Sequence, residues 1–150
     1  MKRVLVTGGS GFLGSCIVAN LLPSEDIECI VVPTTNIRNK TSLDLLNIDF
    51  NKLELINGDV RDYDFIQRLF NEYEFDTIFH LGALSEVRKC QDNAKLAYDI
   101  NIGGTINLLE TARLFGNIKA IIVSSSDKAY GRCKLPYTED APLDGKGIYE

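Results

Sequence analysis

The sequence predicts an α/β domain built on a doubly wound parallel sheet, and two patterns carry that expectation. Five short runs rich in β-branched and aliphatic residues alternate with helix-like stretches along the chain. Inside those runs the apolar residues are nearly continuous, as in Val4-Leu5-Val6, Ile30-Val31-Val32 and Ile121-Ile122-Val123, the composition demanded of strands covered on both faces. With 150 residues, 45% of them apolar, the chain has the length of one domain and enough apolar side chains for a sizeable core.

The elements come in order along the chain. A strand is expected over residues 3–7 and a helix over 12–22, which Pro23 stops because proline cannot continue the hydrogen-bond ladder. Strands over 28–32 and 53–56 come next, then a helix over 62–72 whose Asp62 and Asp64 carboxylates suit a helix N-terminus. A strand over 77–81 leads to a long helix over 93–115, closed by Gly116, in which Leu96, Ile100, Ile106, Leu109 and Ala112 are expected to form one buried stripe. Gly103-Gly104 inside that helix costs ~1 kcal/mol per glycine, so close backbone packing is expected there. A fifth strand over 119–124 precedes a surface loop over 132–147, rich in proline and glycine.

Charge and composition exclude several function classes. Asp plus Glu number 21 against 16 for Lys plus Arg, a net charge of -5 that is the wrong sign for a phosphate-backbone binder, so no nucleic-acid partner is expected. No apolar run approaches the ~18 residues of a membrane span, and Met1-Lys2-Arg3 leads straight into a β-like run rather than a signal peptide. A cytoplasmic protein with no membrane partner is the expectation. Cys16, Cys29, Cys90 and Cys133 lie far apart with His80 the single histidine, which indicates neither a metal site nor a disulfide framework.

The first strand runs into Thr7-Gly8-Gly9-Ser10-Gly11-Phe12-Leu13-Gly14, with the helical pattern starting inside the turn. Glycine lets the backbone approach a pyrophosphate without a Cβ in the way, and a helix N-terminus presents free N–H groups to negative charge. A glycine trio alone can be merely structural. Between the first strand and first helix of a βαβ series it reads as a dinucleotide site.

These residues resemble the cofactor signature of the extended short-chain dehydrogenase/reductase superfamily, in the branch that works on nucleotide sugars. Gly8, Gly11 and Gly14 after Thr7 carry the likeness, together with Asn57-Gly58-Asp59-Val60-Arg61-Asp62, Phe79-His80-Leu81-Gly82-Ala83 and Asn101-Ile102-Gly103-Gly104-Thr105. The resemblance runs from residue 2 to residue 150. It implies a Rossmann-like sheet in strand order 3-2-1-4-5, with residues 1–150 forming the dinucleotide-binding domain and the substrate-binding part lying beyond them. It also implies that NAD or NADP binds at Thr7, Gly8, Gly11, Phe12, Leu13 and Gly14. By the same match Asp59 and Val60 would meet the adenine, and Leu81, Gly82 and Ala83 the pyrophosphate and nicotinamide side. Gly82 stands where the family usually has alanine. His80, closing a strand, reads as a packed, hydrogen-bonded residue rather than a catalyst.

One departure bears on the cofactor. The second strand ends Val32-Pro33-Thr34-Thr35-Asn36, without the acid that binds the adenosine ribose hydroxyls of NAD. Hydroxyls on Thr34 and Thr35 with the Arg38 cation would suit the 2′-phosphate of NADP, so the expectation leans to NADP or to relaxed choice. An ordinary solvated loop is the other reading.

After the fifth strand comes Ser124-Ser125-Ser126-Asp127-Lys128-Ala129-Tyr130-Gly131. Its resemblance to the family's serine-to-tyrosine segment makes Ser126 the catalytic hydroxyl, and Tyr149 falls where the catalytic tyrosine belongs. The family's lysine would be at position 153, so the 150 residues alone are expected to be catalytically silent. Asp127-Lys128 resembles the dehydratase branches acting on CDP-glucose and UDP-N-acetylglucosamine, with Asp127 as acid and Lys128 as base for water elimination. A 4,6-dehydratase is therefore expected, against a 4-epimerase or 4-reductase, a non-catalytic binding module, or an Asp127–Lys128 pair that is only a surface ion pair. A nucleotide sugar is the expected partner, and a homo-oligomer is compatible with the full-length enzyme.

Overall fold

The computed structural model of the protein describes residues 2–37, 40–46 and 50–150. Five parallel strands, β1 (Arg3–Thr7), β2 (Cys29–Thr34), β3 (Leu53–Asn57), β4 (Thr77–His80) and β5 (Ala120–Val123), stand in the order β3-β2-β1-β4-β5. The order reverses at β1, so crossovers after β1 and after β3 place their helices on opposite faces. The helices are α1 (Phe12–Leu21), α2 (Tyr63–Tyr73), α3 (Val87–Asp92), α4 (Ala94–Tyr98) and α5 (Thr105–Phe115).

Side chains alternate across each strand and divide the core into two layers. Val4, Val6, Ile30 and Val32 pack with Val18 and Leu22 at the α1 end of the chain. Leu5, Val31 and Ile78 pack on the other face against Phe65, Ile66, Leu69 and Phe70 of α2 and Leu108 and Ala112 of α5. Burial from both sides is why the strands read as continuous apolar runs. β5 departs from that expectation. Ile121, Ile122 and Val123 are 38%, 47% and 44% exposed at the sheet's edge, so among the described residues nothing covers that strand as it covers the others.

β2 extends two residues further than expected, through Pro33 and Thr34. Its pairing with β1 ends at Leu5↔Val31 while pairing with β3 continues to Thr34↔Asn57, so the missing N–H of Pro33 breaks no bond to β1. α2 begins where its acids indicated: the Asp62 carboxylate accepts the Phe65 amide at 2.9 Å. Replacing this cap in Asp62→Ala is expected to cost ~1 kcal/mol, read as a lowered urea midpoint at unchanged slope; an unchanged midpoint would show that the cap contributes nothing.

The long helix over 93–115 is not one helix. α4 and α5 are joined by a π-helical turn, Asp99–Gly104. The wider π turn inserts extra chain and shifts the phase of the residues after it, so the expected stripe fails in α5. Ile106 and Leu109 are exposed and Leu108 and Thr111 are buried in their place, while Ala112 is buried as expected. Of the two glycines, Gly104 carries the close approach: a Cβ there would lie 2.6 Å from Val60 Cγ2.

Candidate functional site: a cleft at the carboxyl edge of the sheet

All five strands point their carboxyl ends into one open cleft of about 920 Å³, at the edge where the strand order reverses and ligands bind in open α/β sheets. The glycine turn forms its floor. Gly8 adopts φ +70°, a conformation that favours glycine, and a Cβ there would sit 2.7 Å from the Leu81 carbonyl. The Gly8 carbonyl accepts the Gly11 amide at 3.0 Å. A Cβ on Gly14 would collide with that same carbonyl oxygen. Gly11 is the N-cap of α1 and supplies no side-chain cap, so the first-turn N–H groups of α1 face the cleft unspent, a ready anion site.

The expected cofactor residues gather here. Gly8, Gly11, Phe12, Leu13 and Gly14 line the cleft from the turn, Thr34 from β2, Asp59 and Val60 from the loop after β3, and Leu81, Gly82 and Ala83 from the loop after β4. Thr7 lies behind the wall, fully buried, its hydroxyl accepting the Gly82 amide at 3.0 Å. Thr34 Oγ1 accepts from the Ser10 hydroxyl and the Asn36 amide, each at 3.2 Å. Arg38 lies outside the described residues. The Asp59 carboxylate is held below the usual carboxylate range by the hydrogen-bonded Arg61 guanidinium, with which it pairs at 2.6 Å. That cation is thereby engaged next to the cleft.

The expected catalytic residues divide. Ser126 and Tyr149 line the cleft with the glycine turn. Ser126 caps the short turn Asp127–Tyr130, accepting the Lys128 amide at 3.2 Å. Asp127 and Lys128 sit outside the lining, both exposed, in an ion pair at 3.7 Å, and the Ser126 hydroxyl lies 3.4 Å from Asp127 Oδ1.

Sequence reasoning gave no role to Asn101 and Thr105, which also line the cleft. The Asn101 side chain accepts the Leu84 amide at 2.7 Å and donates to the Leu84 carbonyl at 3.1 Å. Two polar residues four apart, the spacing that shares one helix face, were the available signal. His80 is buried, as a packed and hydrogen-bonded residue should be, and burial pushes its imidazole below the usual histidine range. Among the described residues no cluster of metal-ligating side chains occurs, and no helix is long and apolar enough to cross a membrane.

A parallel sheet in this order, a glycine turn opening onto the first helix and a cleft lined by every strand end define an α/β protein of the Rossmann type. The family model described as GDP-mannose 4,6 dehydratase matches residues 5–150, and the chain belongs to that family of nucleotide-sugar epimerases and dehydratases. CDP-paratose 2-epimerase of Salmonella typhi is 37% identical over 131 residues, covering 86% of this chain and 38% of that protein. Further relatives include UDP-glucose 4-epimerases of Neisseria meningitidis and Arabidopsis thaliana. Among solved structures, the UDP-Glc/GlcNAc 4-epimerase of Campylobacter jejuni superposes with a TM-score of 0.85 at 28% identity, over 99% of this chain and 45% of that one. The dTDP-glucose 4,6-dehydratase of Streptomyces venezuelae, solved with NAD bound, superposes with a TM-score of 0.82 at 28% identity, over 98% of this chain and 47% of that one. The chain thus spans less than half the length of these relatives.

Proposed function

We propose that this chain is the NAD-binding half of an enzyme that oxidises a nucleotide sugar at C4 and that the completed reaction is 4-epimerisation. The observation that carries the reading is the convergence of Ser126 and Tyr149 with the glycine turn on one cleft. NAD fits the turn on two grounds: the N–H groups of α1 answer its pyrophosphate, and the space before Gly11, where a Cβ would meet only the Gly8 carbonyl oxygen, is one that a side chain would fill. When bound, NAD supplies the hydride acceptor. Ser126 would then hold the sugar O4 by its hydroxyl, and the Tyr149 phenolate would take the O4 proton as the C4–H bond breaks. The wall at Leu81–Ala83 would keep the reacting face dry.

The end of β2 offers Pro33, Thr34 and Thr35 to the adenosine ribose, none of them charged. Neither the 2′-hydroxyl of NAD nor the 2′-phosphate of NADP finds a charged partner at those residues, so selectivity between the two is expected to be small. A lean to NADP requires Arg38 as well, which the described residues do not include.

Elimination of water, the 4,6-dehydratase outcome, is a second reading favoured by the Asp127–Lys128 pair beside Ser126. It needs an acid for the C6 hydroxyl and a base for the C5 proton, and two adjacent ionisable groups would divide those tasks. The position of both outside the cleft lining and the 4-epimerase relatives support the first reading over it. The protein expressed from its complete coding region, given NAD and UDP-glucose or CDP-glucose in turn, tests both. A C4 epimer is the expected product. A 4-keto-6-deoxy product that disappears in Asp127→Asn would establish the elimination instead.

A further inference from the structure

We propose that His80 is a positioning residue of the cofactor cleft, held as the neutral tautomer that carries its proton on Nε2; the inference rests on the reading that the cleft takes NAD. Thr105 Oγ1 donates its one hydrogen to the Asn101 carbonyl at 2.7 Å, and a carbonyl can only accept. His80 Nε2, 2.8 Å from Thr105 Oγ1, must therefore be the donor to that hydroxyl oxygen. Nδ1 is then an acceptor in the neutral ring. The Thr7 hydroxyl, 2.6 Å away, supplies the hydrogen, and its lone pair receives the Gly82 amide at 3.0 Å. One directed chain results: Gly82 N–H to Thr7, Thr7 to His80, His80 to Thr105, Thr105 to Asn101.

The β1–β4 ladder already sets Thr7 beside His80 and bonds the Leu81 amide to the Thr7 carbonyl; the side-chain bonds extend that register to Gly82 and across to Thr105. Thr7 ends β1 and leads into the glycine turn. Gly82 belongs to the loop after β4, and Asn101 and Thr105 belong to the π turn and α5. Asn101 grips that same loop a second time through both polar atoms of Leu84. The loop is thus clamped from two sides, and the imidazole spans the clamps. The spacing it sets is tight: the Leu81 carbonyl carbon lies 2.7 Å from where a Cβ of Gly8 would be. These two backbone walls are the ones that would flank the pyrophosphate. Protonation of Nδ1 would reverse the donor at Thr7 and strand its hydroxyl hydrogen in a fully buried site; burial acts in the same direction by disfavouring the charged ring.

A pair of substitutions separates positioning from packing. His80→Phe preserves ring volume and removes both hydrogen bonds. His80→Asn leaves a cavity yet keeps an acceptor where Nδ1 faces Thr7. If His80 only fills space, His80→Phe binds NAD better than His80→Asn. The clamp predicts the reverse, with affinity falling at least tenfold in His80→Phe and by less in His80→Asn. Thr105→Val, a near-isostere that deletes the acceptor for Nε2, gives the same readout should His80→Phe fail to fold, and is expected to bind NAD several-fold more weakly. Nitrogen-15 spectra of the labelled imidazole read the tautomer without any ligand: Nε2 protonated and Nδ1 bare at neutral pH is expected, and the opposite tautomer or an imidazolium overturns the proposal. NAD binding by His80→Phe or Thr105→Val equal to the parent overturns it too. Should the parent chain fail to bind NAD while the spectrum shows Nε2 protonated, the NAD reading fails and the hydrogen-bond chain stands.

Discussion

Gly11→Val is expected to weaken NAD binding at least about a hundredfold, ~2.8 kcal/mol at 25 °C, while leaving the fold intact. The two halves of that expectation have separate causes. Gly11 sits at φ -82° and ψ 179°, extended backbone that valine adopts without strain, and an added Cβ meets one atom only, the Gly8 carbonyl oxygen at 3.2 Å. The stability change should therefore stay within the range of a surface substitution, ~1 kcal/mol or less. The valine methyls, however, project into the space before the first turn of α1, where a pyrophosphate would meet the free N–H groups. Gly14 makes the contrast, because a Cβ there collides with backbone of the turn itself and would damage the fold before it reported on ligand. Calorimetric titration of NAD into parent and Gly11→Val, with a thermal melt of each, checks both halves. Equal affinities would remove the glycine turn from the cofactor site.

Phe70→Ala should have the largest effect on stability, ~3–5 kcal/mol, because Phe70 is the hinge of an aromatic cluster. Its ring meets Phe75 edge-on at 5.4 Å and Phe115 at 5.5 Å, and it is 1% exposed. The cluster joins α2, the chain leading into β4 and the end of α5, so the cavity cannot close by moving one element. A loss of this size is a large share of the roughly 5–15 kcal/mol that holds a domain folded, and should lower the melting temperature by roughly 10 °C. Phe70 does not line the cleft, so NAD affinity of the folded fraction should be unchanged. A melt within about 2 °C of the parent, well under the shift those energies imply, would mean that the site repacks.

The fold was legible because its strands are buried on both faces. Val4-Leu5-Val6 feeds both core layers at once, and no other arrangement explains three apolar residues in succession so economically. The glycine turn was legible for a related reason: position between first strand and first helix is itself the signal. The π turn was not, since Asp99–Gly104 differs from an α-helix by one extra residue per turn and composition does not register it. That miss propagated, turning Ile106 and Leu109 outward and Leu108 inward. At the site, strand-end residues such as Leu81 and Asp59 were legible because every parallel strand delivers its carboxyl end to the same edge. The link from Thr7 through His80 to Thr105 was not. Those residues lie 73 and 25 positions apart; the β1–β4 register sets Thr7 beside His80, and the folded chain brings Thr105 of α5 against the other side of the ring. Asp127 and Lys128 follow Ser126 directly in sequence, yet both are exposed at the short turn Asp127–Tyr130 and lie outside the cleft lining.

Whether the carboxyl-edge cleft takes NAD can be read residue by residue from amide chemical shifts of the labelled chain during an NAD titration. Saturable shifts are expected, largest at Gly8–Gly14, with further changes at Asp59, Val60 and Leu81–Ala83, the segments that converge on the cleft. Shifts that are absent at millimolar NAD, or that gather on residues outside those segments, would contradict NAD binding in the cleft.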